Sequence, residues 1–247
     1  MMKRSILILV LSGLAGGLGM SGAAAQDGPV LNRVNYMQVK PGQREAFAAA
    51  RLRQIEHRRE HGYPWREFVS INENGVVRIA TRLNNGWEDM GAMREWRRST
   101  TFVNTGMRET VDSLGSEVTE SLPEYGYMPE DRRVPQGEVN FSREVRIFPN
   151  PGRARALREF LTVTVRDAFQ EAGSGQMRFL RQSVLGRGGF SFIVVYPARD
   201  VQDAYASREA ISAILASARG NSEGGNIRRT RFSNWTWMRD LGFNPAD

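Results

Sequence analysis

The fold is decided by Val39-Lys40-Pro41-Gly42-Gln43-Arg44, a run that closes a strand-like segment and opens a helical pattern. A second run, Pro149-Asn150-Pro151-Gly152-Arg153, does the same with its Pro-Gly pair 110 positions later (151 − 41). The far ends also match at that offset, since Glu124-Tyr125-Gly126-Tyr127-Met128 is echoed by Asn234-Trp235-Thr236-Trp237-Met238 (238 − 128). Two anchors with one spacing predict a duplicated unit.

Hydrophobic periodicity gives both halves the same order of elements, β-α-β-β-α-β. The predicted strands cover 31–39, 65–71, 76–83 and 118–128, then 141–148, 177–184, 190–196 and 227–238. The predicted helices run from Pro41 to Gly62, over 88–114 with a break near 99–101, and over 154–172 and 201–218. Each half covers one sheet face with its own helices, so the other face needs a partner. We therefore predict an α+β fold in which two ferredoxin-like repeats pack sheet to sheet as an intramolecular α/β barrel.

The N-terminus has the pattern of an export signal. Lys3 and Arg4 precede an apolar stretch that reaches Met20, and three alanines at 23–25 supply a cleavage site. We expect a signal peptide over 1–25, a first repeat over 26–128, a linker over 129–140 and a second repeat over 141–247. The expected location is periplasmic or secreted, with no membrane span after signal removal.

The amino-acid composition limits the kinds of molecule that this protein can be expected to bind. The chain has no Cys, which excludes disulfides and lipid anchoring through the signal peptide, so a hydrophobic core must stabilise it. The formal net charge is +7, but Arg alternates with Glu and Asp along most segments, the pattern of solvated helix faces. We expect no nucleic-acid partner and either a monomer or a homodimer.

The sequence resembles the dimeric α/β-barrel superfamily, and within it the proteins related to antibiotic-biosynthesis monooxygenases. The resemblance rests on a strand ending in Val39-Lys40-Pro41-Gly42, a helix with Phe47 five residues after the glycine, and a hairpin at Asn72-Glu73-Asn74-Gly75. It covers most of 30–240. It implies two ferredoxin-like units joined into one barrel, and activities as different as cofactor-free oxygenation, haem degradation and isomerisation.

One local motif suggests a metal. His57-Arg58-Arg59-Glu60-His61 matches the H-x-x-E-H pattern of inverted zinc peptidases and contains both histidines of the protein. Two His would be ligands and Glu60 the base for a zinc-bound water. Against this, the helical wheel at about 100° per residue places the apolar side near 80° from Phe47 and His57 near 280°. We therefore expect surface histidines, with the zinc site as the alternative.

Four aromatic residues form the second candidate site. Tyr125 and Tyr127 alternate on the predicted last strand of the first half, and Trp235 and Trp237 on that of the second. They are either the contact between the two sheets or a paired pocket for a flat apolar ligand. Arg178 and Arg181, nearby in sequence, are either ligand clamps or edge charges.

The sequence favours a binding function. Catalysis needs a positioned acid, base or nucleophile, and no motif supplies one. We therefore expect an exported small-molecule-binding protein, with a small apolar or aromatic ligand and no cofactor. The alternative is a cofactor-free monooxygenase-like enzyme acting on an aromatic or polyketide-like substrate; haem handling is the third option.

Overall fold

A computed structural model describes residues 30–100, 105–186, 188–219 and 224–246. The predicted signal peptide, 1–25, lies outside the described residues, so export and the cleavage site stay predictions. In the described part of the chain, no helix combines the length and the apolar character needed to span a membrane.

In its described residues, 30–100 and 105–121, the first half has four strands and three α-helices. Their bounds are β1 (Val30–Val39), α1 (Arg44–Glu60), β2 (Glu67–Asn72), β3 (Val76–Leu83), α2 (Glu88–Ser99), α3 (Met107–Thr110) and β4 (Val111–Ser121). The predicted helix start at Pro41 is wrong: Lys40 accepts a hydrogen bond from the Gln43 amide in a turn, and the helix begins at Arg44. The helix stop at Gly62 is confirmed, because this residue has φ of 59°.

The second half repeats this order. Its elements are β5 (Phe141–Pro149), α4 (Ala154–Glu159), a π-helical turn (Phe160–Thr164), α5 (Val165–Glu171), β6 (Phe179–Gly186), β7 (Ser191–Ala198), α6 (Val201–Ala206), α7 (Arg208–Arg219) and β8 (Ile227–Trp237). The predicted helix over 154–172 is therefore continuous apart from its π-helical turn. The predicted helix over 201–218 is divided at Ser207.

The eight antiparallel strands close into a barrel in the order β1-β3-β2-β8-β5-β7-β6-β4. Each half contributes the ferredoxin-like order 4-1-3-2, and the halves join where β2 pairs with β8 and β4 with β6. The predicted fold class is thus confirmed. The β4–β6 junction needs glycine at position 186, since an added Cβ would lie 2.4 Å from the Ser116 carbonyl oxygen.

Of the two pairs of matching runs that predicted the duplication, the structure confirms the Pro-Gly pair. The match of 124–128 with 234–238 is wrong. The Lys40 amide donates to the Thr110 carbonyl, and the Asn150 amide donates in the same way to Asn226. The first strands are therefore 110 apart (150 − 40), whereas the last strands are 116 apart (226 − 110). Trp235 corresponds to Thr119, and the Tyr/Trp match at 110 is a coincidence of sequence.

The segment that follows β4 crosses to the second half, and the segment that follows β8 crosses to the first half. A short 3-10 turn, Pro123–Tyr125, ends the first half, and Tyr127 pairs with Arg178 of the second half. The matching turn, Arg239–Leu241, brings Phe243 to pair with Glu67 of the first half. The prediction of one strand over 118–128 is therefore wrong, because this segment leaves the sheet to pack on the opposite half. The domain boundaries themselves stay a prediction.

Hydrophobic cores fill the space between the sheet and its helices in both halves. In the second half the core contains Leu157, Phe169, Leu180 and Phe192. The first half has two clusters, one around Phe47 and Val77 and one around Leu31, Trp65 and Met93. The opposite face of the sheet forms the barrel interior, where buried charged side chains such as Arg78 and Glu144 lie beside Trp235.

Candidate functional site

An open pocket of about 110 Å³ lies between the sheet and the α6–α7 helices of the second half. Arg143 lies opposite Asn234 across the β5–β8 pair, so both side chains share the outer face of the sheet. Phe141 and Phe232, two residues away along each strand, share that face. The helices complete the lining, which is Phe141, Arg143, Ala204, Tyr205, Arg208, Phe232 and Asn234.

The pocket combines exposed aromatic rings with unpaired positive charge. Phe232 is 62% exposed and Tyr205 61% exposed, although both are large side chains that usually pack. The Arg143 guanidinium lies 5.4 Å from the centre of the Phe232 ring. Among the described residues, neither Arg143 nor Arg208 has a carboxylate or carbonyl acceptor. Such a lining can hold a flat ring by its faces and an anionic group by two guanidinium groups.

The corresponding place in the first half is filled. Leu31, Arg33 and Val118 occupy the positions of Phe141, Arg143 and Asn234. Leu31 and Val118 pack there with Met90, Met93 and Trp96. Burial and the nearby Arg97 and Arg94 charges lower the pKa of Arg33. Among the described residues, the pocket is therefore present in one half only. The sequence did not reveal it, because Phe232 follows four charged or polar residues, 228–231, that match no site motif.

The structure does not bring the four predicted aromatic residues together. Tyr125 and Tyr127 pack outside the barrel on the core of the second half, with Tyr127 5.8 Å from Phe169. Trp235 and Trp237 lie on the interior face, where Trp235 is buried and Trp237 contacts Phe68. A single paired pocket made by all four is thus excluded by their positions; ligand binding by either pair stays a prediction.

Among the described residues, two ion pairs in the barrel interior join the halves. Arg78 of β3 donates to Glu144 of β5 at 2.5 Å, and Arg146 of β5 donates to both oxygens of Glu117 of β4 at 2.6 and 2.8 Å. The Tyr36 hydroxyl donates to the same Glu117 carboxylate at 2.5 Å. Arg78 also lies over the Trp235 ring, 4.2 Å from its centre.

These contacts shift the pKa values of Glu117 and Tyr36 in opposite directions. Burial opposes the charge on Glu117, but Arg146, Tyr36 and Ser183 outweigh it and hold the pKa of this carboxyl below its ordinary value. Burial, together with the Glu117 charge, raises the pKa of Tyr36 above its ordinary value. A general base works best with a pKa near the working pH. Neither Glu117 nor Tyr36 meets that requirement.

The two arginines singled out in the sequence have different roles. Arg178 is fully buried, and its guanidinium donates to the carbonyls of Tyr125 at 3.2 Å and Leu161 at 2.8 Å. It is a structural residue on the helix side of the sheet. Arg181 faces the barrel interior near Glu144, and burial lowers its pKa. No hydrogen-bond acceptor for Arg181 lies among the described residues.

The H-x-x-E-H residues lie at the end of α1, where their ligand atoms come within 4.8 Å of one another. His61 and Glu60 are exposed and His57 is half-buried. The predicted core direction of α1 is wrong, because Leu52 is 51% exposed while Arg51 and Arg58 are buried. Both arginines turn inward to pair with Glu67, which the sequence pattern did not reveal.

Part of the first half is similar to a known protein family. Residues 31–106 match the family described as Antibiotic biosynthesis monooxygenase. The matched region lies in the first half and spans β1 to the segment before α3. The resemblance inferred from the sequence is confirmed, and the second half repeats the same unit. No curated protein matches the chain.

Solved structures share this fold over nearly the whole chain. A protein assigned as a monooxygenase from Fusobacterium nucleatum subsp. nucleatum has 12% identity and a TM-score of 0.55, covering 89% of this chain and 96% of its own. An anthrone oxidase-like protein has 12% identity and a TM-score of 0.54, covering 86% and 92%. A mutant chlorite dismutase from Candidatus Nitrospira defluvii has 11% identity and a TM-score of 0.53, covering 86% and 93%. At such identities the likeness establishes the fold alone.

Proposed function

We propose that this protein binds a small aromatic anion in the pocket between the sheet and the α6–α7 helices of the second half. The observation that carries the proposal is the unpaired Arg143 and Arg208 beside two exposed rings, Tyr205 and Phe232. A carboxylate or enolate attached to a flat ring would satisfy both features at once. The monooxygenase-like family supports a small-molecule ligand.

Binding without catalysis is favoured over oxygenation by the chemistry near the pocket. The described residues that line it are Arg, Asn, Tyr and apolar side chains, and none of them is a carboxylate or histidine that could remove a proton. The pocket is also open on one side, so solvent would reach a reactive intermediate. A monooxygenase-like enzyme stays the second candidate, since oxygenation is the activity named for the matched family.

The test uses benzoate as the anionic probe and benzyl alcohol as its neutral analogue. Binding is followed by chemical-shift changes in the amide spectrum of the full mature chain. We expect benzoate to bind at least tenfold more tightly, with shifts centred on β5, β8 and α6. Arg143→Met should weaken benzoate binding by about tenfold or more, because a charge-assisted hydrogen bond contributes about 1.5–3 kcal/mol.

The matched control is Arg155→Met, which removes an exposed guanidinium from α4 outside the pocket. Equal affinity for the two probes, or an equal effect of the two substitutions, would contradict the proposal. Oxygen consumption with a polycyclic phenol as substrate separates the alternatives: turnover that Arg143→Met abolishes would establish the monooxygenase-like function instead.

We further propose that the mature protein begins at Gln26, is exported and is a monomer. The export pattern over 1–25 supports the first two points. Closure of the barrel within one chain supports the third, since both sheet edges are already paired. Intact mass of protein from the host envelope would give the N-terminus, and light scattering would give the oligomeric state. A cytoplasmic, uncleaved chain or a stable dimer would contradict these points.

A further inference from the structure

The last turn of α1 presents three metal-binding side chains on one surface. His57, Glu60 and His61 are spaced i, i+3 and i+4, which places them side by side on a helix. Their ligand atoms lie within 4.8 Å of one another, and the two imidazole rings are 4.2 Å apart between centres. All three candidate ligands therefore lie together on one surface of the helix end.

His61 is held in the orientation of a metal ligand. Its Nδ1 lies 2.8 Å from the His57 carbonyl oxygen, which can only accept, so Nδ1 carries the proton. The free lone pair is then on Nε2. Ligating histidines usually donate their second ring nitrogen to a carbonyl or carboxylate in this way. The indole N–H of Trp96 fixes the same residue further by donating to the His61 carbonyl at 3.0 Å.

His57 supplies an independent sign of a missing partner. Its Nδ1 is buried and has no hydrogen-bond partner in the described part of the chain. A buried polar atom in this state is destabilising, and a bound ion or a hydrogen-bond partner would remove that cost. The Trp96 ring lies beside the imidazole, 6.1 Å away between centres, and shields it from solvent.

The local charge also accommodates a cation. The site lies at the C-terminal end of a 17-residue helix, where the helix dipole favours positive charge. Glu60 adds a full negative charge. The nearest buried cation, Arg58, turns away and pairs with Glu67, so its charge is compensated.

We propose that His57, Glu60 and His61 form a surface site for a first-row divalent metal ion of the zinc and copper type. Two imidazoles and one carboxylate suit these ions and leave one or two coordination positions for water or a small anion. Oxygen-preferring Mg²⁺ is a poor match for such a donor set. Glu60 acts here as a ligand. The site is separate from the aromatic-anion pocket, which lies in the other half of the barrel.

The experiment is a Zn²⁺ titration of the full mature chain by calorimetry, with Trp fluorescence as the second readout because Trp96 touches the site. We expect one Zn²⁺ per chain, and no response to Mg²⁺ at the same concentration. His57→Gln and His61→Gln should each weaken Zn²⁺ binding at least tenfold, and Glu60→Gln should weaken it severalfold. Circular dichroism checks that each variant is folded.

The matched control is Glu56→Gln, which neutralises an exposed carboxylate on the preceding turn of α1. It should leave the affinity within twofold of the original. Zinc binding that survives both His substitutions, or that Glu56→Gln weakens as much as Glu60→Gln, would overturn the proposal. Because benzoate binding should be unchanged in all four variants, failure of this site is distinguishable from failure of the anion pocket.

Discussion

At one equivalent position, the two halves of the barrel bury side chains of opposite charge. Glu67 in the first half and Arg178 in the second are equivalent, since each pairs with the segment that crosses over from the other half. Glu67 is buried among Arg51, Arg58, Tyr63 and Thr81, all of which donate to its carboxylate. Arg178 instead donates to two backbone carbonyls. Each half therefore buries a hydrogen-bonded charged group at this position, a carboxylate in the first half and a guanidinium in the second.

The barrel interior shows what duplication within one chain permits. Tyr36 and Arg146 occupy equivalent places on β1 and β5, and both bind the one carboxylate of Glu117. In a symmetric dimer, each copy would present the same residue to the centre. Once both units belong to one chain, the two sides can diverge into complementary partners. The open pocket of the second half and the histidine cluster of the first half are further differences between the two units.

We expect the largest loss of stability from Glu67→Gln. The substitution keeps the side-chain shape but leaves Arg51 and Arg58 buried without a counter-charge. We expect a loss of about 3–5 kcal/mol in the free energy of unfolding, measured by urea denaturation. A loss below 1 kcal/mol would mean that the cluster is not the buried charge centre of the first half.

Arg178→Met should be less costly, although the position is equivalent. It leaves two carbonyl acceptors unpaired but no uncompensated charge, so we expect a loss of about 1–3 kcal/mol by the same measurement. If it destabilises the protein as much as Glu67→Gln does, the two halves depend equally on their buried charges and the contrast fails.

A double-mutant cycle sharpens the inference that the interior pairs join the halves. Arg146→Met and Glu117→Gln, made singly and together, should show a coupling energy of about 1–2 kcal/mol. The reason is that each single change strands the other partner in the barrel. Additive effects would show that the bond between Arg146 and Glu117 does not hold the halves together.

Mild acid should produce the smallest loss of stability, and we expect that loss in the first half. Burial opposes the charge on Glu67, but the Arg58 and Arg51 charges and the hydrogen bonds outweigh it and hold the pKa of this carboxyl below its ordinary 4.5. The stabilisation by Glu67 is therefore complete above pH 4.5 and is lost as the pH falls through its folded-state pKa. Hydrogen exchange at pH 3.5 should show lower protection in β2 and α1 than in β6 and α5. Equal loss in both halves would contradict this prediction.

Sequence patterns located most elements but not the surfaces that carry the candidate sites. The turns at Gly62 and Gly75 were predictable, because glycine accepts the positive φ that each requires. The burial of Arg51 and Arg58 was not, since a helical wheel assigns arginine to solvent unless a buried carboxylate is known. The course of Tyr125 and Tyr127 was also missed, because alternation alone cannot distinguish a strand from an extended segment that leaves the sheet.

The sequence by itself determined the repeated β-α-β-β-α-β frame, because hydrophobic periodicity and Pro-Gly turns are local properties of the chain. It also placed the metal-binding residue types at helical spacing. Tertiary structure alone decided that β2 meets β8 and β4 meets β6, and that the crossing segments cover the opposite half. It alone placed Arg143 and Arg208 beside exposed rings. Those arrangements depend on contacts between residues far apart in sequence, which no local pattern encodes.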